Sequence, residues 1–256
     1  MTSAAEMHLL ALRDFPQVES GDDLAGFTVA ALRRDDLQLR PNDVLVFAQK
    51  IVSKAEGRQI DVATVLPSEQ ARELAHTVRK DPRLVELILR ESRRIVRAAP
   101  DVLIVEHRLG LIMANAGIDQ SNVAGPEGQC ALLLPLDPDA SARRLRERVA
   151  VLTGCTVAVI ISDSFGRPWR VGTVGVAIGC AGCAATLDLR GQADLFGRPL
   201  RVTIVAHADE IASAASILMG QASEARPVIL VRGLPARAPH RPAAALLRPS
   251  GEDLFR

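Results

Sequence analysis

The run Val157-Ala158-Val159-Ile160-Ile161 passes directly into Ser162-Asp163-Ser164-Phe165-Gly166-Arg167-Pro168-Trp169-Arg170. Uninterrupted small and β-branched apolar residues, closed by polar ones and a Gly-Arg-Pro turn signal, describe a strand. Asp163 falls at the carboxyl end of that strand, where ligands gather in mixed sheets. Working outward, similar short apolar runs stand at His8 to Leu12, Val44 to Ala48, Val102 to Glu106, Leu111 to Ala114, Val202 to Val205 and Val228 to Val231, and each predicts a strand. The pair around Arg108-Leu109-Gly110 reads as a hairpin. Helical periodicity predicts helices over Asp22 to Arg33, Ser68 to Arg79, Pro82 to Arg94, Ala140 to Leu152 and Asp209 to Met219, with Ser68 as a cap. Strands and helices follow one another without a strict βαβ rhythm, so the expected fold class is α+β, with mixed irregular sheets and packed helices.

The 256 residues are 48% hydrophobic and 24% charged, enough for one large core or two smaller ones. A formal charge of +1 excludes the basic footprint of a general nucleic-acid binder. Met1 to Leu12 lacks a basic region ahead of its apolar run and does not read as a signal peptide. The longest apolar stretch, Val171 to Leu187, is broken by glycines and small polar residues, short of the roughly 20 residues that span a bilayer. The protein therefore reads as soluble and cytoplasmic. Residues 1–234 are expected to form the functional domain, with room for two subdomains, and 235–256 a Pro/Ala/Arg-rich tail that reads as mobile. Of the four cysteines, Cys180 and Cys183 form a CxxC. A lone CxxC can be a redox pair or half a zinc site; with no second pair or histidines at ligand spacing, and in an Ala/Gly-rich stretch, it reads as packing rather than either.

Four stretches carry groups capable of chemistry. Gln49-Lys50-Ile51-Val52-Ser53-Lys54-Ala55-Glu56-Gly57 follows a strand and holds two of only three lysines. It reads either as a phosphate-meeting polar loop or as a solvated strand end, and it lacks the glycine spacing of a Walker A loop. Asn115-Ala116-Gly117-Ile118-Asp119-Gln120-Ser121-Asn122 suits a hard divalent cation and equally an ordinary turn. In the third stretch Asp163 and Ser164 can bind a cation, and Arg167 and Arg170 can neutralise phosphate or carboxylate oxygens. Trp169 is the one tryptophan in a chain without tyrosine and is expected as a core anchor. In the fourth, Asp209 and Glu210 read as the start of a helix, His207 as a strand-end histidine, and Gly220 as a point where a ligand can approach the backbone. Together these features point to Mg²⁺- or Mn²⁺-dependent phosphate chemistry.

Taken in order, Gly21-Asp22-Asp23-Leu24, Ile51 to Gly57, Asn115 to Val123, Leu134-Pro135-Leu136-Asp137-Pro138-Asp139, Asp163 to Arg170, Ala208-Asp209-Glu210-Ile211 and Val231-Arg232-Gly233-Leu234 resemble the coenzyme F420-0:γ-glutamyl ligase family. The resemblance runs from about Leu10 to Leu234. It implies an intertwined homodimer of unusual α+β fold that uses GTP, two divalent cations (Mn²⁺ or Mg²⁺) and K⁺. By position it implies metal ligands at Asp119, Asp163, Ser164 and Gln221. It places nucleotide contacts at Phe15, Pro16, Gln17, Val18, Gln49, Lys50, Lys54, Asn122, Met219 and Gly220. Ser164 stands where the family more often has threonine, and Gln221 where some relatives have a glutamate. Gln49-Lys50 replaces Ser-Thr or Ser-Lys, and Phe15-Pro16 replaces Leu-Pro.

The activity so implied joins L-glutamate to the lactyl carboxylate of F420-0 through an acyl phosphate, then adds a γ-linked glutamate, with Lys54, Asp163 and Arg167 in catalytic roles. Partners would be the small-molecule substrates alone, with no nucleic acid and no membrane. Two other readings fit the same residues. One is a different acyl-phosphate amide ligase on this fold. The other is a noncatalytic nucleotide- and metal-binding half of a larger enzyme, since Leu247 to Arg256 resembles the junction through which some relatives continue into a flavin-binding domain.

Overall fold

The computed structural model describes residues 6–123, 129–235 and 240–253. The elements, in chain order, are β1 (His8–Ala11), α1 (Leu24–Arg34), β2 (Val44–Ala48), α2 (Gln49–Ala55), β3 (Gln59–Asp61), α3 (Glu69–Val78), α4 (Pro82–Arg90), β4 (Ser92–Ala99), β5 (Val102–His107) and β6 (Ile112–Ala114). They continue with β7 (Cys130–Leu132), α5 (Pro138–Thr153), β8 (Ala158–Arg167), β9 (Arg170–Ala181), β10 (Leu187–Asp188), β11 (Ile204–Val205), α6 (His207–Met219) and β12 (Val228–Arg232).

Val44 to Ala48 and Ala158 to Ser162 pair in parallel at the middle of a sheet ordered β1-β12-β2-β8-β9, whose other pairs are antiparallel. Alternation along these strands divides the core in two. Leu45, Phe47, Val159, Ile161, Val228 and Leu230 pack with residues of α1, α2 and α5. Val44, Val46, Ala158, Ile160, Ile229 and Val231 pack with Ala208, Ile211, Ala212 and Ala215 of α6. Strands covered on both faces explain why their sequences are continuously apolar. A separate antiparallel sheet, β4-β5-β6, shares the cluster of Ala71, Val85, Ile88, Leu103 and Val105 with α3 and α4. The fold is α+β, as expected. Among the described residues no helix is long and apolar enough to cross a membrane.

The glycines that interrupt Val171 to Leu187 belong to β9 and serve helix approach. A Cβ at Gly175 would lie 2.4 Å from the Ala212 carbonyl oxygen of α6, and one at Gly179 would lie 2.3 Å from the Pro138 oxygen of α5. Ser213 Oγ also donates to the Gly175 carbonyl at 2.7 Å. Only glycine permits backbones this close.

Several expectations are corrected. The helix predicted to Arg94 stops at Arg90, because Ser92 to Ala99 pair with β5. The polar loop expected after β2 is the helix α2: Ile51, Val52 and Ser53 are buried, and Gln49 Nε2 donates to Ser53 Oγ one turn on, at 2.6 Å. Trp169 anchors no core. It sits at the β8–β9 hairpin turn with φ +64° and is 88% exposed, because the tip of a long hairpin extends beyond reach of either helix layer. Part of the stretch read as a mobile tail is docked. The Ala243 and Ala244 amides donate to the Asp139 carboxylate at 2.8 and 3.2 Å, and Ala243 is buried in the α6 core. Residues 236–239 and 254–256 of that tail lie outside the described residues.

Candidate active site

The parallel register aligns Ala48 with Ser162, so β2 and β8 deliver Gln49-Lys50 and Asp163-Ser164 side by side at their carboxyl ends. Antiparallel β12 enters at the same end of the sheet, Val228 opposite Phe47, which brings in the loop after α6. Leu12 donates to Val228 there, which brings in Phe15 to Val18. The result is a cavity of about 530 Å³. Phe15, Pro16, Gln17, Val18, Gln49, Lys50, Lys54, Asn122, Met219 and Gly220 all line it, together with Asp163, Ser164 and Gln221. Asp119 stands behind this wall and reaches it through Lys50.

Helix α2 places Lys50 and Lys54 on one face, four residues apart. Lys50 Nζ lies 2.7 Å from Asp119 Oδ2 and donates to Ser121 Oγ at 2.8 Å. Lys54 Nζ donates to the Asn122 carbonyl at 2.8 Å. Burial, with the neighbouring Lys50 charge added, holds Lys54 below the usual ammonium value. Lys50 already has its anion in Asp119; an anion in the cavity would relieve the crowded charge of Lys54. The side chain of Gln49 faces inward as well, tied to Ser53. Asn122 Nδ2 donates to the Ala222 carbonyl at 3.1 Å, clasping the loop after α6 against the Asp119 loop. Asn115 ends up elsewhere: its Oδ1 is buried without a hydrogen-bond partner among the described residues, and it does not line the cavity.

Asp163 and Asp119 are near enough for the charge of one to act on the other. Burial first, then the Asp119 charge, pushes Asp163 up to about 7, against the opposing Ser164 amide and Lys50. For Asp119, burial is outweighed by Lys50 and by the Ser121 amide and hydroxyl, which hold its carboxyl below the ordinary range. Ser164 Oγ donates to Gln221 Oε1 at 2.8 Å; of the four residues expected as metal ligands, Asp163, Ser164 and Gln221 line the cavity, and Asp119 is tied to its wall through Lys50. Among the described residues no three His, Cys, Asp or Glu side chains cluster as a metal cage. Two carboxylates with a hydroxyl and an amide oxygen do fit Mg²⁺ or Mn²⁺, which bind through one or two carboxylates and complete their shell with water and phosphate. The incompletely compensated charge of Asp163 is what a cation would relieve.

Arg167 ends β8, but its side chain lies outside the described part of the structure. Glu224 and Arg226 also line the cavity and were missed by the sequence reading. Glu224 Oε2 accepts from the Ala222 amide at 2.9 Å. Their one sequence signal was two charges in a short loop between Gly220 and a strand. His207, Asp209 and Glu210 lie outside the cavity lining; Asp209 accepts from the Ala177 amide at 2.9 Å and fastens α6 to β9.

The F420-0:Gamma-glutamyl ligase family model matches residues 14–233. The chain belongs to that family. It is 47% identical over 244 residues to the coenzyme F420:L-glutamate ligase of Methanopyrus kandleri, covering 94% of each chain. It is 44% identical over 250 residues to the protein of that name in Methanothermobacter thermautotrophicus, covering 97% of this chain and 98% of the relative. With the Archaeoglobus fulgidus protein, also so named, identity is 42% over 228 residues, 89% of this chain and 88% of the relative. The family match takes in every element that contributes to the cavity.

Proposed function

We propose that this member of the family joins L-glutamate to coenzyme F420-0, using GTP and forming an acyl phosphate, and then adds a γ-linked glutamate. The observation that carries the reading is the meeting of the Lys50–Lys54 pair with Asp163 and Ser164 in one cavity at the carboxyl ends of β2 and β8. Family membership, and the names of relatives matched over nearly their full length, supply the substrates.

In the first step a carboxylate oxygen of F420-0 bonds to the γ-phosphorus, the bond to the β–γ bridging oxygen breaks, and GDP leaves. In the second, the glutamate amine attacks the acyl carbon, inorganic phosphate departs and the amine loses a proton. Both steps need alignment and charge neutralisation more than a strong acid or base. Lys50 in the first turn of α2 and Lys54 in its last would hold phosphate oxygens, and Arg167 is assigned to the transferring group by the family resemblance alone. Phe15 to Val18 and the Met219–Gly220 turn would flank the guanine. Asp119, Asp163, Ser164 and Gln221 would hold two Mn²⁺ or Mg²⁺ ions, which neutralise phosphate charge when bound, with K⁺ assisting. Lys50 would then exchange Asp119 for a phosphate oxygen.

A homodimer belongs to the same proposal. Its support is the run of exposed apolar side chains on the β8–β9 hairpin and the segment beyond β10, where Trp169, Val171, Leu195, Phe196 and Val202 all face solvent. The cytoplasm is the compartment proposed for a reaction that consumes GTP.

The test is mass spectrometry of F420-0 incubated with the protein, L-glutamate, GTP and Mn²⁺. Stepwise gain of glutamyl groups with matching GDP is the expected result. GDP without glutamyl gain would point to another acceptor, and neither product would refute the reading.

A further inference from the structure

The Cys180-Ala181-Gly182-Cys183 pair plays no part in the proposed ligase chemistry, and the fold does not treat it as packing alone. Cys180 is the last residue but one of the long strand β9, and the chain then turns at Gly182, whose φ is +84°. That turn folds Cys183 back, and the two Sγ atoms lie 3.2 Å apart. The site is held from two sides. The Cys180 amide donates to Asp139 Oδ1 at 2.8 Å, and the Cys183 carbonyl accepts from the Arg241 amide at 3.1 Å.

The two thiols differ in access. Cys180 is buried, whereas Cys183 is partly exposed and lines a second cavity of about 290 Å³, remote from the ligase cavity, with Arg146, His207 and His240. We propose that Cys180 and Cys183 form a reversible dithiol that exchanges with low-molecular-weight disulfides, Cys183 attacking and Cys180 resolving.

The Cys183 thiolate attacks one sulfur of the small disulfide, forming a mixed disulfide and releasing one small thiolate. Cys180 loses its proton and attacks Cys183 Sγ, the Cys180–Cys183 bond forms and the second small thiol leaves. Two protein thiols are oxidised and one small disulfide is reduced to two thiols. The electrostatics favour this division. The hydrogen bond from Cys180, with the Arg146 charge helping against burial, holds Cys183 below the usual thiol value, and the contact with Cys183 together with burial pushes Cys180 up. A thiolate, not a thiol, is the attacking species.

The probe is oxidised glutathione, added to the full-length protein and followed by intact-mass and fragment mass spectrometry. The wild type should lose two hydrogens, with the new bond between Cys180 and Cys183, and dithiothreitol should restore it. Cys180→Ala should retain one glutathionyl group on Cys183. Cys183→Ala should leave Cys180 unmodified, reacting at least about tenfold more slowly than Cys183 does in Cys180→Ala. A wild-type protein that keeps both thiols while Cys130 or Cys155 reacts would overturn the proposal, as would equal reactivity of Cys180 and Cys183 in the two variants. Neither outcome depends on ligase activity.

Discussion

Glu91→Gln tests how the end of α4 is fastened to Arg58, beyond α2, and to Arg108. Glu91 caps the end of α4 and is nearly buried. Its Oε1 accepts from Arg58 at 3.0 Å, and its Oε2 accepts from Arg108 Nε at 3.0 Å. His107 Nε2 is 3.4 Å from that second oxygen. Burial alone would raise the carboxyl, but His107 and the two arginines outweigh it and bring the value from 4.5 down to about 2. At 1.36 kcal/mol per pKa unit, that depression is worth about 3 kcal/mol. Its folded value lies below its unfolded one, so this stability is present above pH 4.5 and is lost as pH falls through about 2. Glutamine keeps the shape but leaves two arginines without their anion in a half-buried place. The expected cost at pH 7 is about 3 kcal/mol, a drop in Tm of roughly 6–12 °C for a chain of this size. Urea unfolding followed by circular dichroism, at pH 7 and again near pH 3, measures it. A variant within about 1 kcal/mol of wild type at pH 7, or a gap that does not narrow in acid, would refute the reasoning.

Other expectations concern the site and the β9 contacts. Asp163→Asn should fold and lose nearly all turnover in the glutamyl-transfer assay; normal turnover would remove Asp163 from the metal site. Lys54→Ala should raise the KM for GTP about tenfold, the loss of one charge-assisted contact, and an unchanged KM would place the phosphates elsewhere. Gly175→Ala should lower stability by about 1–3 kcal/mol, because its methyl meets the Ala212 carbonyl; calorimetry showing no loss would mean that α6 can retreat from β9.

The elements legible in the sequence were those whose pattern is local. Val157 to Ile161 and Val44 to Ala48 are continuously apolar because both faces are covered, and Ser68 caps α3 by accepting from the Ala71 amide at 3.2 Å. Where the competing signals were non-local, the reading failed. Ser92 to Arg94 continue a helical pattern but yield to pairing with β5. Trp169, large and apolar, is left at a hairpin tip by the length of β8 and β9.

Thus the sequence alone determined the α+β class, the strand that presents Asp163 and, through its ordered motifs, the family. Only the tertiary structure decided that Lys50 would meet Asp119, 69 positions away in the chain and 2.7 Å away in space, and that Ser164 would meet Gln221. It also decided that Glu224 and Arg226 would share the cavity, and that Cys180 in β9 and Cys183 beyond its end would touch. Periodicity and turn chemistry act over a few residues and survive in the sequence. Contacts across β2, β8 and β12 depend on strand order and register, which long-range packing selects.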